Sequence, residues 1–184
     1  SLNGWTTYAD ASGLTWESTA GNPGGCARAR DLNDGILWGF SAPAPFRGDK
    51  SCYYGGTLSW QVRSTHGSNS YANSADLLIF SPTLTLVYVV PGIPTPNTWN
   101  GNSAPLSEAG WHIGAENGVA PTQAEFQSVL ANITDIRFNC EWSASVDTGR
   151  IDNVILTPGN GCTPACPADY NDDGLDDILD FLDF

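Results

Sequence analysis

An all-β fold, an antiparallel jelly-roll sandwich with one short helix, is what this sequence predicts. Apolar and polar residues alternate in roughly nine short runs separated by turn signals, the pattern of a two-sheet sandwich. The intervals are filled by Ser, Thr and Asn together with 20 glycines and 12 prolines, residues that punctuate strands rather than extend them. A single stretch carries both helical periodicity and a start signal.

Residues 1–25 read as two short strands separated by Asp10-Ala11-Ser12-Gly13, and Cys26–Asp31 as a third. Asn33-Asp34-Gly35 turns the chain into a strand over Ile36–Phe40, followed by a proline-rich loop over 42–46. Over 55–63 the alternation is clean, with Leu58, Trp60 and Val62 inward and Thr57, Ser59, Gln61 and Arg63 outward. Ala75–Phe80 and Thr83–Val90 are the most apolar runs and are expected to be central strands covered on both faces. Pro91–Pro105, with four prolines, reads as one long loop carrying an exposed Trp99, and Gly110–Ile113 as a short strand. Thr122 and Glu125 form a capping box ahead of Phe126, Val129, Leu130 and Ile133, so the helix is placed at Thr122–Ile133. Asp135–Trp142 returns to alternation, with Ile136, Phe138, Cys140 and Trp142 on one side, and Arg150–Leu156 is the last strand. These elements make one domain over 1–157, a linker over 158–167 and a separate acidic segment over 168–184.

A chain of 184 residues can bury one sizeable core. Its net charge is −13, and seven of the 20 acids fall between Asp169 and Asp183, leaving 13 acids against 7 bases in the body. Such a surface repels nucleic acid and anionic membranes, and no apolar run reaches the length of a membrane span. The sequence starts at Ser1 without a signal peptide and has no methionine. It is therefore expected to be the mature form of a secreted protein, extracellular or on a cell surface. Five cysteines suit an oxidising exterior, and the odd count leaves one thiol over. Cys162 with Cys166 is the first expected disulfide and Cys26 with Cys52 the second, while Cys140, on an inward strand phase, is a buried free thiol. Asn132-Ile133-Thr134 is the one N-glycosylation pattern, a surface position if used.

Catalysis is not expected. His66 and His112 are the only histidines, no serine or cysteine sits in a nucleophile motif, and no histidine pair has zinc spacing. Glu108 and Glu116, either side of Trp111, could be written as a glycosidase pair, but paired carboxylates arise by chance in an acidic chain. Saccharide binding needs an exposed aromatic face beside polar groups. Trp99, among Asn97, Asn100 and Asn102, is the best candidate, followed by Tyr53 and Tyr54, whereas Trp60, Trp111 and Trp142 lie in core phases. Asp31, Asp34 and Asp152 are a weaker cation set, and no ion is expected there.

The segment from Asp169 onward carries the sharpest chemistry. Asp169, Asn171, Asp173, Asp177 and Asp180 occupy positions 1, 3, 5, 9 and 12 of a loop, with Gly174 at the sharp turn and Leu175 offering its carbonyl at position 7. Oxygen donors at that spacing wrap a Ca2+ ion, and without it seven aspartates repel one another. Leu175, Ile178, Leu179 and Leu182 recur at helical spacing, with Phe181 and Phe184 alongside. A helix this short needs its apolar stripe covered. With aspartate at position 12 the loop, over about 166–184, resembles a type I dockerin repeat. Dockerins pair two such repeats and bind cohesins; this sequence holds one, so the stripe is expected to dock elsewhere.

The body carries a second resemblance. Phe46-Arg-Gly-Asp49, Tyr54-Gly-Gly-Thr-Leu-Ser-Trp60, Leu106-Ser-Glu-Ala-Gly-Trp111, Glu125–Ile133 and Arg150–Val154 stand in order along 1–157 and resemble the laminin IV type A (laminin B) domain. The resemblance implies a non-catalytic jelly roll, similar in fold to carbohydrate-binding modules, with a matrix-like or sugar-binding role and no defined ligand residues. The function expected is a secreted structural or adhesive subunit. It would self-associate with other copies, into a filament if the contact does not close, or anchor through the calcium-stabilised segment. The alternatives are a stand-alone polysaccharide-binding module and a dockerin-tailed module bound to a cohesin.

Overall fold

In a computed structural model, described for residues 1–33, 37–67, 75–92 and 94–159, the alternating runs form eleven antiparallel strands in two sheets. The first sheet is ordered β1 (Thr6–Ala9), β4 (Trp38–Ser41), β10 (Asp135–Asn139), β6 (Leu77–Phe80), β7 (Thr85–Tyr88) and β9 (Trp111–Ile113). The second is ordered β2 (Ala11–Glu17), β3 (Cys26–Asp31), β11 (Thr148–Thr157), β5 (Thr57–Ser64) and β8 (Asn100–Pro105). Consecutive strands repeatedly change sheets, so the fold is the expected jelly-roll-like sandwich. Most neighbouring strands within each sheet are remote from one another in sequence.

That core is aromatic. Trp38, Phe40, Trp60, Trp111, Phe126 and Phe138 are all at most 1% exposed. Their rings meet tilted or edge-on, as between Trp60 and Phe138 at 5.6 Å and Trp111 and Phe126 at 5.5 Å, the arrangement the ring quadrupole favours. Leu58, Trp60 and Val62 point inward on β5 as the alternation required. The helix α1 (Gln123–Leu130) opens on the expected box: the Glu125 N–H donates to Thr122 Oγ1 at 3.3 Å and the Thr122 N–H to Glu125 Oε2 at 2.8 Å. Phe126, Val129 and Leu130 close one side of the sandwich. Ile133, expected as a last helical residue, is buried instead through a bridge to Gly48.

Three expectations are corrected. Strand β7, with Leu86 and Val87 both buried, is covered on both faces as expected, but β6 is buried on one face only: Leu77 and Ile79 are in the core, while Leu78 and Phe80 are half-exposed. Their apolar outer side is roofed by Arg137, whose guanidinium lies 4.6 Å from the Phe80 ring centre and 5.1 Å from that of Tyr8. A long cationic side chain can cover apolar surface in this way, and the pattern reads as two-sided burial. The stretch 91–105 is not all loop. Its second half is β8, an edge strand held by β5 along Leu58↔Ala104 and Trp60↔Asn102. Polar, proline-ended sequence is tolerated there because an edge pairs on one side only. Finally, Cys26 and Cys52 are both free, the first buried on β3 and the second exposed in a short 3₁₀ turn at Ser51–Tyr53, so the expected bond between them is not formed. Cys140 is buried and free, as expected.

Candidate functional site

Between the β8 edge of one sheet and the β6–β7 end of the other lies a cleft of about 420 Å³, a size typical of small-molecule sites. Trp99, Asn100 and Asn102 line one side, and Val90, Pro91 and Pro94 the other. Below them sit Asp76 and Trp142. Trp99 is the one expected stacking residue that the fold delivers to an open cleft. It is half-exposed, and the turn that carries it is fixed by its neighbour. The Asn100 amide donates to the carbonyls of Thr95 at 3.1 Å and Thr98 at 2.7 Å and accepts from the Thr95 N–H at 2.9 Å. Asn97 supplies a positive φ of 58° and donates its N–H to the Ser64 carbonyl at 2.8 Å. Asn and Asp tolerate that backbone better than other residues bearing a side chain.

The polar floor is Asp76, which sequence reasoning missed. Its Oδ1 accepts the Trp142 indole N–H at 3.2 Å and its Oδ2 the Val90 N–H at 2.7 Å. Burial pushes its carboxyl up to about 6 despite the two donors that oppose the shift. Asp76 and Trp142 are 66 residues apart, so no local pattern could have joined them. Asn102 has a different job. With its amide oriented to satisfy both ends, its oxygen accepts the Trp60 indole N–H at 3.2 Å. Both asparagines therefore position the wall, and Asp76 is the group with acceptor capacity left for a ligand hydroxyl.

Other expected positions fall elsewhere. Tyr53 and Tyr54 pack against the core rather than beside Trp99; Tyr54 donates its hydroxyl to Glu108 at 2.6 Å and meets Phe126 edge-on. Glu116 accepts the Ala75 N–H at 3.1 Å, so the two glutamates that flank Trp111 are each engaged with a different partner. His66 is exposed, and His112 contacts the Gly118 carbonyl at 2.8 Å. Asn132 is exposed just past the helix, compatible with a surface glycan. Asp31 and Asp152 lie toward opposite ends of their sheet, and Asp34 is outside the described residues. Among the described residues no group of three or more His, Cys, Asp or Glu is arranged to hold a metal. The calcium ligands Asp169, Asn171, Asp173, Leu175, Asp177 and Asp180 lie outside the described residues. So do the apolar stripe of Leu175, Ile178, Leu179, Phe181, Leu182 and Phe184, and the cysteines Cys162 and Cys166.

Comparison with known proteins agrees with this architecture. The L4b domain of human laminin alpha-2 superposes with a TM-score of 0.59 at 17% identity, over 66% of this chain and 70% of that one. A family 11 carbohydrate-binding module of the cellulosomal cellulase Lic26A-Cel5E of Clostridium thermocellum gives 0.54 at 19% identity, over 84% and 88%. The family 11 module from the same organism in complex with a β-1,3-1,4-mixed-linked tetrasaccharide gives 0.53 at 20%, again over 84% and 88%. At such identities these likenesses establish the shared fold. No curated protein sequence matches. A family model described as Laminin B (Domain IV) matches residues 39–168, more than half of the sequence and nearly all of the sandwich from β4 onward. On that match the chain belongs to the Laminin B (Domain IV) family.

Proposed function

We propose that this chain is a non-enzymatic, extracellular binding module whose sandwich reads a neutral polysaccharide at the Trp99 cleft. The observation that carries the reading is the pairing of a half-exposed indole with a buried carboxylate acceptor in one cleft. The indole face takes the C–H side of a pyranose, and Asp76 accepts from its hydroxyls. An acidic saccharide would meet Asp76 and the net charge of −13 unfavourably. The mixed-linked tetrasaccharide bound by the family 11 module makes soluble β-glucans the first ligands to try. In calorimetry Trp99→Ala should weaken binding by about tenfold or more, the usual consequence of truncating a central aromatic anchor. Full retention of affinity by Trp99→Ala removes the cleft from the account.

A second reading is supported by the outer face of the first sheet. Leu78, Phe80, Leu37 and Tyr8 form an apolar, partly open surface there, with a cavity of about 200 Å³. The stripe of Leu175, Ile178, Leu179, Phe181, Leu182 and Phe184, ordered by Ca2+ at Asp169–Asp180, would find a complementary seat on that face of another copy. Self-association of this kind makes the chain a structural or adhesive subunit. If the segment is instead read by a cohesin, it is a dockerin-like anchor. Sedimentation with calcium and with chelator tests it: assemblies that form only with calcium support the reading. A monomer in both conditions, with calcium uptake demonstrated by calorimetry, excludes it.

A further inference from the structure

The outer face of the second sheet runs against the charge of the molecule. Arg28 on β3, Arg150 on β11 and Arg63 on β5 stand directly opposite one another in register, with Arg30 two residues along β3. Their strand neighbours Ala27, Ala29, Ile151 and Val62 are in the core, so all four guanidinium groups point outward. Four of the seven basic residues thus share one face, although like charges directly opposite on a sheet repel.

The protein's own carboxylates offset this only in part. Glu17 accepts from Arg150 Nε at 2.6 Å and Nη2 at 3.3 Å and lies 3.7 Å from Arg28 Nε. Asp152, also on this face, is held by the N–H groups of Asn22 at 2.6 Å and Asn153 at 2.9 Å beneath the 18–25 loop. Arg30 is exposed, and Arg63 Nε is buried without a hydrogen-bond partner among the described residues. Four positive charges therefore face two negative ones.

The geometry points to the acidic segment Asp169–Asp183 of the same chain as the occupant of this arginine row when calcium is absent. The segment carries seven aspartates and no base. Reach allows it. From Arg150 to Thr157 is seven residues of β11, roughly 23 Å, and the nine residues of 160–168 can span up to about 30 Å when extended. The first aspartates can therefore return over β11 to the row. The tether also sets a high local concentration, and carboxylates bind guanidinium groups in bidentate pairs. Calcium competes, because Asp169, Asp173, Asp177 and Asp180 are wanted by both. Loading the loop draws the segment off and bares a basic face. Only this calcium response rests on the proposed calcium loop; the docking itself does not.

Arginine modification by phenylglyoxal, mapped by mass spectrometry on the full chain, tests the proposal. The comparison is with a variant carrying Asp172→Asn, Asp176→Asn and Asp183→Asn, which leaves every calcium-ligand position intact. In chelator at low salt, Arg30 and Arg63 should react several-fold more slowly in the wild-type chain than in the variant, with Arg47 unchanged as reference. Calcium should bring the wild-type rates up to those of the variant. Equal rates in chelator overturn the docking, as does protection that rises with protein concentration, which would place a second copy's segment on the row. Equal rates combined with protection by polygalacturonate also overturn it, making the row a site for acidic saccharide. Protection that ignores calcium supports the docking and counts against the calcium loop alone.

Discussion

Replacing Asp147 by asparagine should make the protein gain stability, and gain more of it at neutral pH than at mildly acidic pH. Asp147 is buried just before β11, where its Oδ2 accepts from Ser64 Oγ at 2.6 Å and its carbonyl accepts from the Asp31 N–H at 3.1 Å. Burial, with the Asp31 carboxylate adding to it, pushes its carboxyl from 3.8 up to about 6. The folded state then holds the proton more tightly than the unfolded one. The associated stability is complete below the unfolded value and is lost as pH rises through about 6. Full ionisation of Asp147 costs about 3 kcal/mol, of which a third to a half accrues between roughly pH 5 and 7.5. Asparagine keeps an oxygen for Ser64 and removes the charge. Urea unfolding followed by tryptophan fluorescence, with chelator present, should therefore show the advantage of Asp147→Asn over wild type growing by about 1 kcal/mol across that interval. An advantage that is constant, or that shrinks as pH rises, would refute the reasoning.

Four further outcomes concern the packing, the cysteines and the cleft. A Cβ at Gly149 would stand 2.7 Å from Trp38 Cη2 and 3.0 Å from Cys140 Sγ, both in the core, so Gly149→Ala should cost about 1–3 kcal/mol; thermal unfolding measures it, and adding Cys140→Ala should recover part of the loss. In the native protein Cys52, being exposed, should react first with a thiol reagent, while Cys26, pushed up to about 11 by burial, and Cys140, pushed well above the usual thiol value, wait for unfolding. Counting thiols after denaturation without reductant tests the remaining bond: three of the five if Cys162 and Cys166 are joined, five if they are not. Saccharide binding should weaken as pH falls through about 6, because protonation replaces the charged acceptor that Asp76 offers with a weaker, neutral one; a pH-independent affinity would take Asp76 out of the site.

The sandwich was legible wherever one face of a strand is wet. The β5 alternation, the Thr122–Glu125 box and the extent of β3 follow from residue order alone, because burial on one side forces a period of two and an unpaired helix end asks for a cap. It was not legible where a distant side chain changes what counts as wet. Leu78 and Phe80 look doubly buried until Arg137, 57 residues beyond Phe80, is seen lying over them. Strand β8 has almost no strand propensity of its own and exists because β5 offers it an edge.

The site divides along the same line. Trp99 stood out in the sequence because prolines and asparagines around an indole leave it no core to enter. Asp76 did not, because a carboxylate beside an apolar run has no local feature that marks it as buried. Its character comes from the Trp142 indole and the Val90 N–H, which converge on it only once β6, β7 and the end of β10 are assembled. The arginine row has the same origin. Arg28, Arg63 and Arg150 are scattered outward residues in three strands, and only the register of β3, β11 and β5 lines them up. A fold that places four of its seven bases on one sheet face of a chain with a net charge of −13 creates a local charge pattern that neither strand order nor composition reveals alone.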